Sequence, residues 1–427
     1  MAARRTWLVT RATVVVGLAA LLAGSTVVIP DASLVRAVPP ASAPAAPQPD
    51  VATAVHGSTA LALALYQRLG SGDENLVASP SSLATVLAMA LPGARGRTAD
   101  EIAHVLHTTL DPGRLAVAMG TLDAGIGQRA AASSTELRVS NAVRGQRGYT
   151  IQPAFLKLLA EAFRSGVHQA DFITDTERAR LAINALVQQQ TNGKISDLFA
   201  PGSLDEYTRL VLTNAIYLKA RWQQPFDPHD TWPAPFHTLD GNAPQVPTMH
   251  QQAITLPYAQ GDGWQAVELA YKGGALAMDV LLPAAGNFAS FQRGLDPDRL
   301  AILLGALRPT TLDLALPKFT FDSTHQLNQT LAALGMPTAF TDAADFRGLF
   351  TVSEPLKVQT VIQKAHLAVN EEGTTAAAAT GMAFQATSAV IPRPLRLQVD
   401  RPFVFLLRDL ASGQILFLGR VTDPRQL

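Results

Sequence analysis

The histidines and acids of this chain could support metal binding or catalysis at two places. His104 and His107 lie three residues apart on a predicted helix, as two metal ligands can, but no third ligand has suitable spacing. His229 and Asp230 stand beside Asp227, which would suit a catalytic triad, but they lie in a proline-rich turn. We therefore predict no metal site and no cofactor.

Two adjacent glutamates, Glu371 and Glu372, could serve as an acid–base pair. Neighbouring side chains on a strand point to opposite faces, so these carboxylates would not converge on one substrate. The sequence also contains no Gly-x-Ser-x-Gly elbow, no His-Glu-x-x-His pair and no glycine-rich phosphate loop. We predict that the protein is not an enzyme.

Composition excludes several further classes of protein. The 427 residues include 34 Lys and Arg and 34 Asp and Glu, so no general basic field favours nucleic acid. Cysteine is absent, which rules out disulfides, thiolate zinc sites and a cysteine nucleophile. With 48% hydrophobic residues, the chain has ample material for a core that holds the fold together.

The N-terminus resembles a targeting segment. Three arginines within the first eleven residues precede an uncharged apolar run, residues 12–29. We predict a signal peptide over residues 1–37 and secretion of the protein, with a retained membrane anchor facing outside as the alternative. Small residues suited to cleavage occur at 35–37 and at 23–25.

Residues 38–51 are mostly proline and alanine, which predicts an extended linker. The remainder, residues 52–427, is predicted to form one domain. Helices dominate its first half and strands its second half, without the alternation of a doubly wound sheet, so the class is α+β. Thr98, with Glu101 three residues later, predicts a capping box at a helix start. The main predicted helices are 60–69, 82–91, 153–163, 181–190 and 327–334, and the main strands are 137–143, 210–218, 265–269, 277–282, 311–316, 356–370, 403–408 and 415–422.

The segment after strand 356–370 has an unusual composition. Residues 371–380 read EEGTTAAAAT, with small side chains throughout. Read with period two from Thr374, one set of residues ends apolar at Phe384 and the other ends polar at Gln385. This pattern favours a strand with one buried face over a flexible loop.

Residues 361–380, VIQKAHLAVNEEGTTAAAAT, resemble the hinge of inhibitory serpins. Other motifs follow in the order of that family across residues 52–427. They include SPSS (79–82), GARGRT (93–98), TNGKI (191–195), NAIYLKARW (214–222), LPKF (316–319), RPFVF (401–405) and FLGRV (417–421). The resemblance implies three β-sheets, about nine helices and an exposed reactive-centre loop.

The resemblance also implies a suicide mechanism of serine protease inhibition. The protease cleaves the loop and forms an acyl-enzyme, and the loop then inserts into the main sheet. A charged residue or proline at Thr374 would indicate a non-inhibitory member, and neither is present. A non-inhibitory carrier or chaperone and a surface-tethered interaction protein are the alternatives. The hinge comprises Glu371, Glu372, Gly373, Thr374, Thr375, Ala376, Ala377, Ala378, Ala379 and Thr380.

In the family the cleaved bond follows the hinge glycine at a nearly fixed distance, and counting from Gly373 gives the bond Thr387–Ser388. A shift of one residue in either direction stays open. A trypsin-like protease needs a basic residue before the bond, and Arg393 lies too far along. We therefore expect an elastase-like or subtilisin-like target and a monomeric inhibitor.

Two supporting clusters are implied by the resemblance. Lys318, Glu371 and Trp222 match the breach, where the loop first enters the sheet, although the two charges could also lie apart on the surface. The shutter, which controls sheet opening, matches Ser79, Ser82, Asn214 and Gln363. Relatives commonly have histidine at the last position, and glutamine can hydrogen-bond there but cannot titrate.

Overall fold

The computed structural model describes residues 33–40, 44–70, 72–352, 354–374 and 394–425. These residues form an α+β fold with nine α-helices and three β-sheets, which confirms the expected architecture. Within these ranges no helix is both long and apolar enough to cross a membrane. The helices are α1 (Gln48–Leu69), α2 (Pro80–Ala90), α3 (Gly96–Val105), α4 (Pro112–Ala132), α5 (Pro153–Phe163), α6 (Thr176–Gln190), α7 (Phe288–Arg293), α8 (Pro297–Gly305) and α9 (Asn328–Leu334).

Sheet A has the strand order β1-β5-β3-β6-β15-β14-β12, and sheet B has the order β16-β11-β8-β9-β10-β17-β18-β2 with β7 beside β8. Sheet C pairs β4 with β13. The strands are β1 (Ser33–Val35), β2 (Leu76–Ala78), β3 (Glu136–Gln146), β4 (Thr150–Ile151), β5 (Val167–Ala170), β6 (Leu210–Arg221), β7 (Thr231–Pro235), β8 (Gln245–Gly261), β9 (Trp264–Ala270), β10 (Leu276–Pro283), β11 (Arg308–Pro317), β12 (Phe319–Gln326), β13 (Phe350–Thr351), β14 (Val358–Asn370), β15 (Gly373–Thr374), β16 (Leu395–Gln398), β17 (Phe403–Asp409) and β18 (Ile415–Val421).

The apolar run at 210–218 forms the centre of sheet A. Every residue of β6 from 210 to 218 is buried, as expected of a strand covered on both faces. Helix α2 is buried along its whole length and contacts β3 and β6 of sheet A and β18 of sheet B. The hydrophobic core therefore lies between the two large sheets, with α2 inside it.

Described secondary structure is present before residue 52, where the sequence analysis placed the start of the domain. Strand β1 pairs with β5 at the edge of sheet A, and α1 begins at Gln48. Pro49 is accommodated because the first turn of a helix needs no amide donor there. The buried Asp50 accepts hydrogen bonds from Arg114 at 2.6 and 3.0 Å, which fixes the start of α1 against α4.

The expected capping box at Thr98 and Glu101 was wrong. Helix α3 begins at Gly96, so Thr98 lies within its first turn, and its hydroxyl accepts a hydrogen bond from the backbone N–H of Asp345 (2.9 Å). The Glu101 carboxylate accepts bonds from the N–H and hydroxyl of Thr338 (2.9 and 2.8 Å). Both side chains therefore connect α3 to a distant turn, and such partners are invisible to a local motif.

Candidate functional site

The first residues of the predicted hinge form a short strand inside sheet A. Strand β15 lies between β6 and β14 and runs antiparallel to both, with Thr374 opposite Ala220 on one side and Val369 on the other. Beyond this point β6 and β14 pair directly with each other, in parallel, from Leu210 to Tyr217 of β6. Within the described residues, sheet A is thus opened at one end only, by two residues.

Gly373 is required at the entry to this opening. Its φ is +151°, and a Cβ atom built on it would lie 2.0 Å from the carbonyl oxygen of Ala220 and 2.7 Å from Cα of Arg221. No side chain fits such an approach between backbones. The glycine lets the chain turn from the end of β14 into the sheet.

Thr374 is fully buried and contacts Tyr271, the residue that directly follows strand β9 of sheet B. Its hydroxyl oxygen lies 2.6 Å from the hydroxyl oxygen of Tyr271, which stacks on Trp222 with the ring centroids 4.6 Å apart. Burial raises the pKa of Tyr271, so the phenol keeps its proton at neutral pH. Trp222 also donates its indole N–H to the carbonyl oxygen of Asn370 (2.9 Å). The aromatic pair therefore supports the end of β14 and the start of the hinge.

Lys318 and Glu371 form an ion pair beside this opening. The lysine Nζ lies 2.9 Å from Oε2 of Glu371, and Thr231 donates to Oε1 at the same distance. Burial alone would raise the pKa of Glu371, but the bonds from Lys318 and Thr231 outweigh it and keep the pKa below its usual value. The three predicted breach residues therefore lie close together. Trp222 directly follows β6, and its indole contacts Asn370, the residue before Glu371.

Glu372 lies in a different environment from Glu371. Both of its carboxylate oxygens are buried and have no hydrogen-bond partner among the described residues. Its backbone carbonyl accepts a bond from the N–H of Trp222 (2.8 Å), which holds the residue in place. The two adjacent carboxylates thus do not meet at one point. A buried carboxylate without a hydrogen-bond partner is costly.

The four predicted shutter residues lie in one buried hydrogen-bond network. Gln363 accepts a bond from the N–H of Ser79 (2.8 Å), and its amide donates to the carbonyl of Ser79 (2.8 Å) and to Oδ1 of Asn214 (2.6 Å). Ser79 donates to the hydroxyl of Ser82 at 3.0 Å. Asn214 in turn donates to Asn141 on β3. The network joins the start of α2 to three strands of sheet A.

Replacing Gln363 by leucine is expected to lower the free energy of unfolding by about 2–4 kcal/mol, because buried groups of Ser79 and Asn214 lose their partners. The matched control is Gln359→Leu on the same strand. Gln359 is partly exposed, and its amide makes one long hydrogen bond, 3.4 Å to a carboxylate oxygen of Asp205. Loss of this bond should cost little. Denaturant unfolding of both variants measures the difference, and equal midpoints would contradict a stabilising role of this network.

Some predicted site residues lie outside the described residues. These are Thr375, Ala376, Ala377, Ala378, Ala379 and Thr380 of the hinge and Thr387 and Ser388 of the reactive bond. Two residues in the described part were missed by sequence reasoning, namely Tyr271 and Asn141. Tyr271 precedes the glycine pair of a tight hairpin, and that position gave no signal of its contact with Thr374.

The other candidate groups do not assemble into a reactive centre. The rings of His104 and His107 lie with their centroids 6.2 Å apart, and in the described ranges no three His, Asp or Glu side chains are placed to hold a metal ion. Asp227 accepts a bond from the backbone N–H of His229 (2.9 Å), so it stabilises the turn and does not orient the imidazole.

Comparison with known proteins gives consistent matches. A family model described as Serpin (serine protease inhibitor) matches residues 56–424. A serpin-like protein of Thermococcus kodakarensis is 36% identical over 362 residues, covering 84% of this chain and 83% of that protein. The leukocyte elastase inhibitor of Bos taurus is 35% identical over 360 residues, covering 82% and 93%. The native structure of the thermophilic serpin tengpin superposes with a TM-score of 0.81 at 22% identity, covering 92% of this chain and all of that one.

Proposed function

Because the chain belongs to the serpin family, we propose that it is a suicide-type inhibitor of serine proteases and acts as a monomer. The serine Oγ of the target attacks the carbonyl carbon of Thr387. The peptide bond to Ser388 breaks, the new amine leaves, and an ester joins Thr387 to the protease. Insertion of the loop into sheet A then displaces the bound protease before water can hydrolyse the ester.

The observation that carries this proposal is the position of β15 between β6 and β14. Two residues of the hinge already follow the path that the rest of the loop would take. Each further residue would exchange part of one parallel ladder for two antiparallel ones, and antiparallel pairing is slightly more stable per residue. The alanines at 376–379 carry no bulk or charge into the sheet interior.

The same path explains why the two supporting clusters lie where they do. Separation of β6 from β14 breaks the direct bond between Gln363 and Asn214, which face each other in the parallel register. The ion pair of Lys318 with Glu371 fixes the residue at which the hinge leaves β14. One cluster therefore resists opening of the sheet, and the other positions the segment that enters it.

The target class follows from the residue before the cleaved bond. Thr387 is small and uncharged, so it suits a shallow, apolar primary pocket and cannot pair with a buried acid. The relative named leukocyte elastase inhibitor agrees with this choice. We propose elastase-like or subtilisin-like proteases as targets. The test is incubation with a panel of serine proteases, followed by a denaturing gel. A covalent complex migrates as a single band at the combined mass of inhibitor and protease.

Changing Thr387 to arginine is expected to move inhibition towards trypsin-like proteases by several orders of magnitude in rate, because a guanidinium can pair with a buried acid in the target. Thr387→Gln lengthens the same side chain without adding charge and should not redirect inhibition towards trypsin-like proteases. Mass spectrometry of the released C-terminal fragment locates the cut, and a fragment that begins after Arg393 would contradict both the bond and the specificity. Cleavage without any covalent complex would instead indicate a non-inhibitory carrier.

We further propose that the protein is exported and that a signal segment is removed upstream of Ser33. Removal at 35–37 would delete strand β1, which pairs with β5 over three residues. Removal near 23–25 would keep this strand. N-terminal sequencing of the exported protein distinguishes the two sites, and a start at residue 38 would contradict the proposal.

A further inference from the structure

A tyrosine and a histidine face each other across sheet A close to the end of β15. Tyr217 on β6 and His366 on β14 are directly opposite in the parallel register of these strands. Within the described residues they are the last such pair on the hinge side, because β15 separates the two strands at Ala220 and Val369. Further separation of β6 from β14, starting at the hinge, must therefore begin at Tyr217 and His366.

The two rings contact each other across the boundary between the strands. Their centroids lie 6.3 Å apart and their planes are inclined by 32°, which is within the range of interacting aromatic pairs. Burial, and to a smaller extent the charge of Glu136, raise the pKa of Tyr217, so its ring is uncharged at neutral pH. The face of such a ring attracts a cation, and an imidazole becomes a cation when it takes up a proton.

Asp322 contacts His366 from the opposite side. It lies opposite this histidine in the antiparallel register of β12 and β14, and the imidazole Nδ1–H donates to its Oδ1 at 2.6 Å. This hydrogen bond, together with the charges of His366 and Lys364, outweighs partial burial and holds the pKa of Asp322 below its usual value. The imidazole therefore lies between an ionised carboxylate and an aromatic ring, and both of these attract positive charge.

The other charged side chains near this pair do not reverse the effect of a proton on His366. Lys364 lies on the same strand, so its distance from the imidazole stays the same when β14 moves away from β6. Arg138 lies opposite Tyr217 on β3, and its charge is offset by Glu136, 3.3 Å away. Separation of the strands therefore chiefly removes the imidazole from the tyrosine ring, while the paired strands β12 and β14 keep the carboxylate beside it.

We propose that Tyr217, His366 and Asp322 form a latch on sheet A, which an imidazolium at His366 holds closed more firmly than a neutral imidazole does. An inserting loop must open this latch, because continuing both registers of β15 by three residues reaches Tyr217 on β6 and His366 on β14. Insertion therefore becomes faster as the pH rises and the imidazolium loses its proton. This inference rests on the proposed inhibitory mechanism and adds a pH-dependent control to it.

The test compares the wild type with His366→Gln, using a protease that turns over part of the inhibitor. The number of inhibitor molecules consumed beyond one per inactivated protease equals the rate of ester hydrolysis divided by the rate of insertion. Both proteins present the same loop, so the ratio of their values cancels the pH dependence of hydrolysis. Glutamine can still donate to Asp322 but cannot titrate. We expect equal values at about pH 8, and about two- to fivefold higher values for the wild type at about pH 5.5.

Two further variants separate the latch from other effects. His237→Gln is the matched control, because this histidine is exposed and follows β7 outside sheet A, and it should keep the pH dependence of the wild type. Tyr217→Leu should remove that dependence, since the imidazolium loses its ring partner. Identical profiles for the wild type and His366→Gln, or a difference by the same factor at every pH, would overturn the latch alone. Absence of a covalent complex at every pH would overturn the proposed function and this inference with it.

Discussion

The Thr374→Arg variant is expected to be cleaved by the target protease without inhibiting it. Thr374 is 0% exposed and lies between two strands of sheet A, with its hydroxyl 2.6 Å from that of Tyr271. Burying a guanidinium at this position, in place of a small hydroxyl side chain, would cost several kcal/mol. The hinge must therefore leave the sheet, and later insertion meets the same barrier. The bond near Thr387 stays accessible, so the acyl-enzyme is hydrolysed.

The measurement is the number of inhibitor molecules consumed for each protease molecule inactivated, together with the amount of covalent complex on a denaturing gel. We expect the wild type to give a ratio near one and the arginine variant to give turnover with no stable complex. Thr374→Val is the matched control, because it keeps size and branching and loses only the bond to Tyr271, worth about 1 kcal/mol. Covalent complex at the wild-type level from the arginine variant would refute entry of this residue into the sheet.

Patterns of hydrophobic residues and short motifs in the sequence were sufficient to predict the class of the fold. The apolar run at 210–218 predicted a strand covered on both faces, and β6 lies at the centre of sheet A. The amphipathic segment at 153–163 coincides with α5. Both signals are local, because the side chains that determine them are consecutive or lie on one helical face.

Helix α4 was not predicted from the sequence, because its composition reflects close packing against another helix. It contains glycines at 113, 120, 125 and 127, which lower helix propensity enough to hide the pattern. A Cβ atom at Gly120 would lie 1.9 Å from the carbonyl oxygen of Ala162 on α5, so close packing of the two helices demands glycine there. The cap could have been detected, since Asp111 precedes Pro112 and accepts a bond from the N–H of Arg114.

At the candidate site, the sequence revealed residues that belong to a conspicuous run of glycine and small side chains. It did not reveal residues such as Tyr271, whose neighbours in the sequence show no unusual pattern. Gly373 and the small residues after it stand out in any reading of the chain. Tyr271 does not, because its contact with Thr374 joins residues that are 103 positions apart. The opposite environments of Glu371 and Glu372 also depend on distant partners, chiefly Lys318.

Cleavage of the loop is expected to raise the unfolding temperature of the protein by roughly 10 °C or more. In the native form β6 and β14 share one parallel ladder, and an inserted strand would add a second set of backbone hydrogen bonds along it. At about 0.5–1.5 kcal/mol net for each bond, some ten inserted residues contribute on the order of 5–15 kcal/mol. A gain of this size corresponds to a shift of many degrees in a domain of this length.

The experiment compares melting curves, followed by circular dichroism, of the native protein and of protein cut once near Thr387, with the cut verified by mass spectrometry. The Thr374→Arg variant, cut at the same bond, is the control, because a charge at this position hinders insertion at its first step. We expect a large rise in the wild type and a much smaller one in the variant. Superimposable curves before and after a clean cut of the wild type would mean that the loop stays outside sheet A, and the protein would then act as a carrier and not as an inhibitor.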